Sequence, residues 1–267
     1  GPQLTADRYS YVAAWSLSAW LAATALRLLP RFTGPERRPF AIAAGAAVLG
    51  GLGTLAFVTR DEIRVWRDPV SLWSRAVEIH PESAIAHGNL AQALEDTGEL
   101  ERALDHYATA VRLDPSLRTP RAGWATLMAR LGDHAAARAQ FEAILRADPT
   151  HEAALIGLGN LDLIAGRTNE ALARYAAALT AHPESVEAAY NLATLRLHQG
   201  DVRSARELLQ SIVRRQPHHP LAWHNLGIAL QREGNTEDAA EAYRRALELA
   251  PELGRLHAPP PDRSREH

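Results

Sequence analysis

Few residues of this chain could do chemistry, and those few point to binding. Cysteine is absent from its 267 residues, which removes disulfides, thiolate metal ligands and a cysteine nucleophile. His218, His219 and His224 lie close together, but no carboxylate joins them at a useful spacing, so solvated loop histidines are expected and no metal. Glu99, Glu101, Arg102 and Asp105 fit a solvated helix face better than an acid–base pair. No glycine-rich phosphate loop follows a strand, and neither Gly-x-Ser-x-Gly nor His-Glu-x-x-His occurs. No catalytic residue and no cofactor are therefore expected. A formal charge of -2 and a pI near 6.7, with no aromatic–basic signature, speak against nucleic acid as a partner. Amide chemistry remains. Asn89, Asn191 and Asn225 are separated by multiples of thirty-four residues, and an amide can both donate to and accept from an extended peptide backbone.

The same interval organises everything around those amides. Gly98, Gly132, Gly166, Gly200 and Gly234 recur every thirty-four residues, and three further columns keep phase with them. These are Ala103, Ala137, Ala171, Ala205 and Ala239; then Tyr107, Phe141, Tyr175, Leu209 and Tyr243; then Pro115, Pro149, Pro183, Pro217 and Pro251. Each glycine is expected to end a first helix in a left-handed conformation, and each alanine to sit where two helices come closest. The aromatic column fills space between neighbouring repeats, and proline closes the second helix. Leu90, Trp124, Leu158, Leu192 and Leu226 form the buried contact of each first helix. A thirty-four-residue beat with these columns resembles the tetratricopeptide repeat, a helix-turn-helix solenoid unit. The resemblance implies an all-α, right-handed superhelix of five full repeats, 84–117, 118–151, 152–185, 186–219 and 220–253. A half repeat precedes them, with Trp73, Ala76 and Pro81 one period before Tyr107, Ala110 and Pro115.

The chain before the repeats differs in composition. Residues 10–29 and 40–58 are apolar runs long enough to cross a bilayer core of about 30 Å, the first charged only at Arg27 and the second uncharged. Four domains follow from this: a membrane region 1–59, a linker and half repeat 60–83, the five repeats 84–253, and a polar, proline-rich tail 254–267 expected to be disordered. Arg31, Arg37 and Arg38, with Arg27, favour a cytoplasmic loop between the runs, placing both termini outside the cytoplasm. The only methionine is Met128, so the sequence is expected to be a fragment or processed product.

A second resemblance rests on two short motifs. Ala6-Asp7-Arg8-Tyr9-Ser10-Tyr11 precedes the first apolar run, and Val65-Trp66-Arg67-Asp68 with Ser71-Leu72-Trp73 leads into the repeats. Together they look like the C-terminal part of bacterial multipass membrane proteins similar to protein O-mannosyltransferases with C-terminal tetratricopeptide repeats. Val12 and Ala13 stand where that family has a proline. The resemblance implies an inner-membrane protein with its repeats on the periplasmic side. The acidic catalytic residues it implies would lie upstream of Gly1, so this chain itself should not be an enzyme. The expected function is a membrane-anchored protein- or peptide-binding scaffold, the recognition arm of such a glycosyltransferase. The alternative is a stand-alone membrane-anchored assembly scaffold.

In a stack of this kind the first helices line the concave face. Positions two, five, nine, twelve and thirteen of each repeat should point inward, among them Ile156, Asn160, Leu163, Ile164, Tyr190, Thr194 and His224. With Asn89, Asn191 and Asn225 they form the candidate peptide-binding face. The asparagine column resembles the asparagine ladder in the repeats of O-GlcNAc transferase, but it is broken at Gly123 and Gly157. Gly88 and Gln92 occupy the places where a carboxylate-clamp domain would carry Lys and Asn, so capture of a free peptide C-terminus is not expected. An uncapped last repeat would further allow self-association.

Overall fold

Helix pairs follow from local signals that recur once per repeat. The computed structural model describes residues 68–256 and a few helical positions between Gly45 and Thr54. The apolar runs 10–29 and 40–58 otherwise lie outside the described residues, as does the tail from residue 257. Among the described residues no helix is long and apolar enough to cross a membrane. The chain divides into two units, residues 1–79 and 80–267.

The first unit contributes α1 (Pro69–Ile79), the lone second helix of the half repeat. The regular elements among the described residues of the second unit are all helices. Its first helices are α2 (Ala84–Asp96), α4 (Arg118–Arg130), α6 (Glu152–Ile164), α8 (Val186–Gln199) and α10 (Pro220–Arg232). Their partners are α3 (Leu100–Leu113), α5 (His134–Ala147), α7 (Thr168–Ala181), α9 (Val202–Arg215) and α11 (Thr236–Leu249). Ser83, Ser185 and His219 cap three of the first helices, accepting from Ala86, Ala188 and Ala222 N–H. Asp133, Asp201 and Asn235 do the same for three second helices.

All five glycines of the repeating column lie at positive φ, between 73° and 91°, a region that costs glycine little and other residues more. The alanine column is buried, from Ala103 to Ala239, so the two helices of each repeat meet on a residue with nothing beyond Cβ. Three apolar clusters each cross a repeat boundary. One joins Phe141 and Ile144 of α5 to Leu158 and Leu161 of α6, another Tyr175 of α7 to Leu192 of α8, a third Leu209 of α9 to Leu226 of α10. No repeat buries its own apolar surface alone, which is why such units are stable only in stacks.

A further short element follows the last helix pair. A 3-10 helix, Pro251–Leu256, continues past residue 253. Leu253 is buried there with Ala246, Ala250 and Trp223, so the last repeat has a short cover. The outer surface of α11 carries a charge network of Glu241, Arg244, Arg245 and Glu248.

Candidate functional site

The aromatic column decides where the asparagine column can run. At position six of the repeat, a Cβ on Gly123 would come within 2.7 Å of the Tyr107 ring, and one on Gly157 within 2.3 Å of the Phe141 ring. Both rings come from the second helix of the preceding repeat. Tyr175 instead turns against Gly159 of its own repeat, where a Cβ would lie 2.5 Å from the ring, and Tyr243 does the same with Gly227 at 2.7 Å. Every aromatic of the column therefore rests on one glycine, either at position eight of its own repeat or at position six of the next. Leu209 has no ring and needs no glycine. Asn191 and Asn225 can stand at position six because Tyr175 points elsewhere and Leu209 is smaller. The sequence shows Gly123 and Gly157 as gaps in a ladder; the structure shows them as seats for rings. The signal was present in Gly159 and Gly227, which complete the pairing.

The first helices approach one another directly, α2 with α4, α4 with α6 and α8 with α10, and α6 with α8 less closely. Polar bonds lace two of these approaches. Arg130 donates to Glu95 at 2.5 Å between α2 and α4. Between α8 and α10, Asn225 Nδ2 donates to Tyr190 Oη at 3.2 Å and Thr194 Oγ1 at 3.1 Å, and Arg232 donates to the Leu197 carbonyl at 2.6 Å. The Tyr190 ring also lies 5.2 Å from that of His219. Burial raises the pKa of the Tyr190 phenol, against the bonds to Thr194 and Asn225.

The expected binding residues thus fall into three groups. Tyr190, Thr194 and Asn225 are brought together and engage one another. Asn160, Leu163 and Ile164 are exposed on α6, the two aliphatics at 38% and 61%. Asn160 Oδ1 accepts from the Tyr175 hydroxyl at 2.6 Å, and its amide nitrogen has no hydrogen-bond partner among the described residues. Burial, then Glu187 and Asp162, push that phenol up to about 12, so it remains a donor at any physiological pH. Asn89 and Asn191 are half-buried, and their side chains make no hydrogen bond within the described residues. His224 meets Tyr243 edge-on at 5.7 Å.

Ile156 is a correction. It was expected on the inner face, but it is 3% exposed and packs with Leu155, Tyr175, Ala188 and Leu192. Position five of this repeat turns under α8 rather than into solvent. His218, His219 and His224 do not converge: His219 caps α10 through Nδ1, 3.1 Å from the Ala222 nitrogen. Among the described residues, no three His, Asp or Glu are placed to hold a metal.

One polar cluster was missed by sequence reasoning. Asp162, on α6, is 2% exposed and faces Arg138 of α5, Arg167 of the α6–α7 turn and Arg174 of α7. Position eleven of a repeat is ordinarily counted with the solvated face, and nothing in the spacing of these arginines marks them as partners.

Family models described as tetratricopeptide repeat match residues 66–117 and 123–167, 162–227, and 220–253. No curated protein matches the chain. Among solved structures, the chain is similar to YrrB, described as a TPR protein with an unusual peptide-binding site. The identity is 26%, over 69% of this chain and 96% of that one, with a TM-score of 0.51. MamA of Desulfovibrio magneticus RS-1 is 24% identical over 66% of this chain and 97% of its own, TM-score 0.52. The pilF protein of Pseudomonas aeruginosa is 18% identical over 78% and 91%, TM-score 0.61. The last two support the fold alone.

Proposed function

We propose, from the premise that this chain belongs to the tetratricopeptide repeat proteins, that its first helices bind an extended peptide and that the binding is centred on α6 and α8. Such arrays are protein-binding scaffolds and not catalysts. The observation that carries the assignment to α6 and α8 is a contrast along one face. Where α2 meets α4 and α8 meets α10, the inward polar groups bond each other. Across α6 and α8 they do not, and Asn191, the amide nitrogen of Asn160, and Leu163 with Ile164 are left to a ligand. Two amides and two aliphatics suit a peptide strand, whose backbone needs alternating donors and acceptors and whose side chains need apolar contact. A similarity to YrrB, itself described as having a peptide-binding site, supports the reading.

We further propose that the array is the extracytoplasmic recognition arm of a multipass, O-mannosyltransferase-like membrane protein, anchored through residues 10–29 and 40–58. The two apolar runs and the short motifs at Ala6–Tyr11 and Val65–Trp73 support it. The alternative, a stand-alone membrane-anchored scaffold, would share the same face.

The test is capture of envelope proteins by the chain, wild type against a Leu163→Ser, Ile164→Ser variant. Both side chains are exposed, so the variant should fold; Ile156 is left alone because a serine there would disturb the core. Capture lost in the variant, with glycosylated proteins among those released, supports both readings. Capture that survives the change would remove α6 from the site.

A further inference from the structure

The corner between α6 and α7 holds more positive charge than its structure needs. Asp162 Oδ1 accepts from Arg138 Nη2 at 2.6 Å and from Arg167 Nε at 3.1 Å and Nη2 at 2.9 Å. All three N–H groups fall on a single oxygen. Oδ2 has only Arg174 Nε at 4.0 Å, too far for a hydrogen bond. One guanidinium would suffice to pair a buried carboxylate, since its fork presents five donors. Three cations around one anion leave two charges uncompensated within the cluster.

The arginines are also unequally committed. Arg138 and Arg167 are held by the carboxylate, which fixes their planes. The Arg174 guanidinium makes no hydrogen bond within the described residues. All three side chains are partly exposed, while the aspartate that orients two of them is inaccessible. That is the arrangement of a rigid donor set with one free fork. The surplus is also local, because the chain as a whole carries a net charge of -2.

We propose that Arg138, Arg167 and Arg174 form a binding site for an oxyanion with two or more acceptor oxygens, a phosphoryl or carboxylate group. Arg174 supplies the bidentate fork and the other two supply flanking donors. Asp162 is a positioning residue: it orients the flanking arginines and tempers the charge so that the anion exchanges. The site stands apart from the peptide reading, because an isolated anion suffices to fill it.

Calorimetric titration of the chain with inorganic phosphate, and separately with acetate, at ionic strength held constant with chloride tests this. Saturable binding is expected for the wild type. Arg174→Gln should weaken it at least about tenfold, as loss of a charge-assisted bidentate contact does, without changing thermal unfolding in chloride. Asp162→Asn should bind phosphate more tightly and recover thermal stability as phosphate is added. Binding of phosphate alone assigns a phosphoryl ligand, and binding of both anions assigns a carboxylate as sufficient. No saturable binding of either anion, or an Arg174→Gln chain that binds like the wild type, overturns the proposal.

Discussion

Gly157→Ala isolates the rule that each ring of the aromatic column requires one glycine. The added Cβ would lie 2.3, 2.5 and 2.7 Å from three carbons of the Phe141 ring. That is roughly 1 Å inside ordinary carbon–carbon contact. The ring cannot withdraw, being 1% exposed and packed among Ala125, Ile144 and Leu158. Overpacking costs about 1–3 kcal/mol, and a clash this deep against a confined ring falls in the upper part of that range, about 2–3 kcal/mol. Alanine in place of glycine within a helix returns about 1 kcal/mol, so the variant should be destabilised by about 1–2 kcal/mol. Phe141→Leu, which reproduces the Leu209 arrangement, should cost about 1 kcal/mol by itself. In the double variant the clash is gone and the helix gain remains. Urea unfolding of the four proteins should then give a coupling of at least about 1 kcal/mol, with the double variant more stable than the two single effects predict. A Gly157→Ala chain as stable as the wild type, or strictly additive effects, would refute the assignment of Gly157 as a seat for the ring.

Further outcomes follow from neighbouring groups. Asn225→Ala should destabilise by about 1 kcal/mol, because it removes bonds to Tyr190 and Thr194; Asn191→Ala should leave the urea midpoint unchanged and weaken peptide capture. Gly166→Val places a β-branched residue at φ +73° and should cost about 1–2 kcal/mol, read as a lowered thermal midpoint with retained helicity. In the first repeat, His87 Nδ1 and His106 Nδ1 are 2.9 Å apart, and His87 Nε2 lies 3.0 Å from the Pro81 carbonyl. The carbonyl makes Nε2 the donor on His87, so its Nδ1 accepts from His106. Burial first, then His87 and Arg102, lower the His106 pKa against the opposing Asp105. The folded state thus favours neutral His106, and its contribution to stability is full above the ordinary 6.5 and lost as pH falls toward the lowered value. Protection of the α2 and α3 amides against exchange, corrected for the intrinsic pH dependence of the exchange rate, should fall between pH 7 and pH 5.5, and His106→Gln should flatten that dependence.

The repeat was legible because its columns answer to backbone and steric demands that any stack imposes. Gly98 to Gly234 must turn the chain, Ala103 to Ala239 must let helices touch, and no tertiary context changes either requirement. What escaped was contact choice within that frame. Ile156 was assigned by its register to the inner face, yet α8 covers it, because register gives a direction from a helix axis and not what lies along it. Asp162 was invisible for a related reason. Its arginines stand twenty-four, five and twelve residues away, on three separate elements, and neither the thirty-four-residue period nor an i, i+4 spacing joins them.

Asn191 and Asn225 show how one column can divide its labour. They occupy the same position of successive repeats, and a ladder reading treats them as equivalent. Yet Asn225 lies beside an α8 that presents Tyr190 and Thr194, and it bonds both. Asn191 lies beside α6, whose matching positions five and nine are Ile156 and Asn160. The isoleucine is buried, and the oxygen of Asn160 is taken by Tyr175. The residues facing each asparagine thus decide whether it tightens the array or remains available.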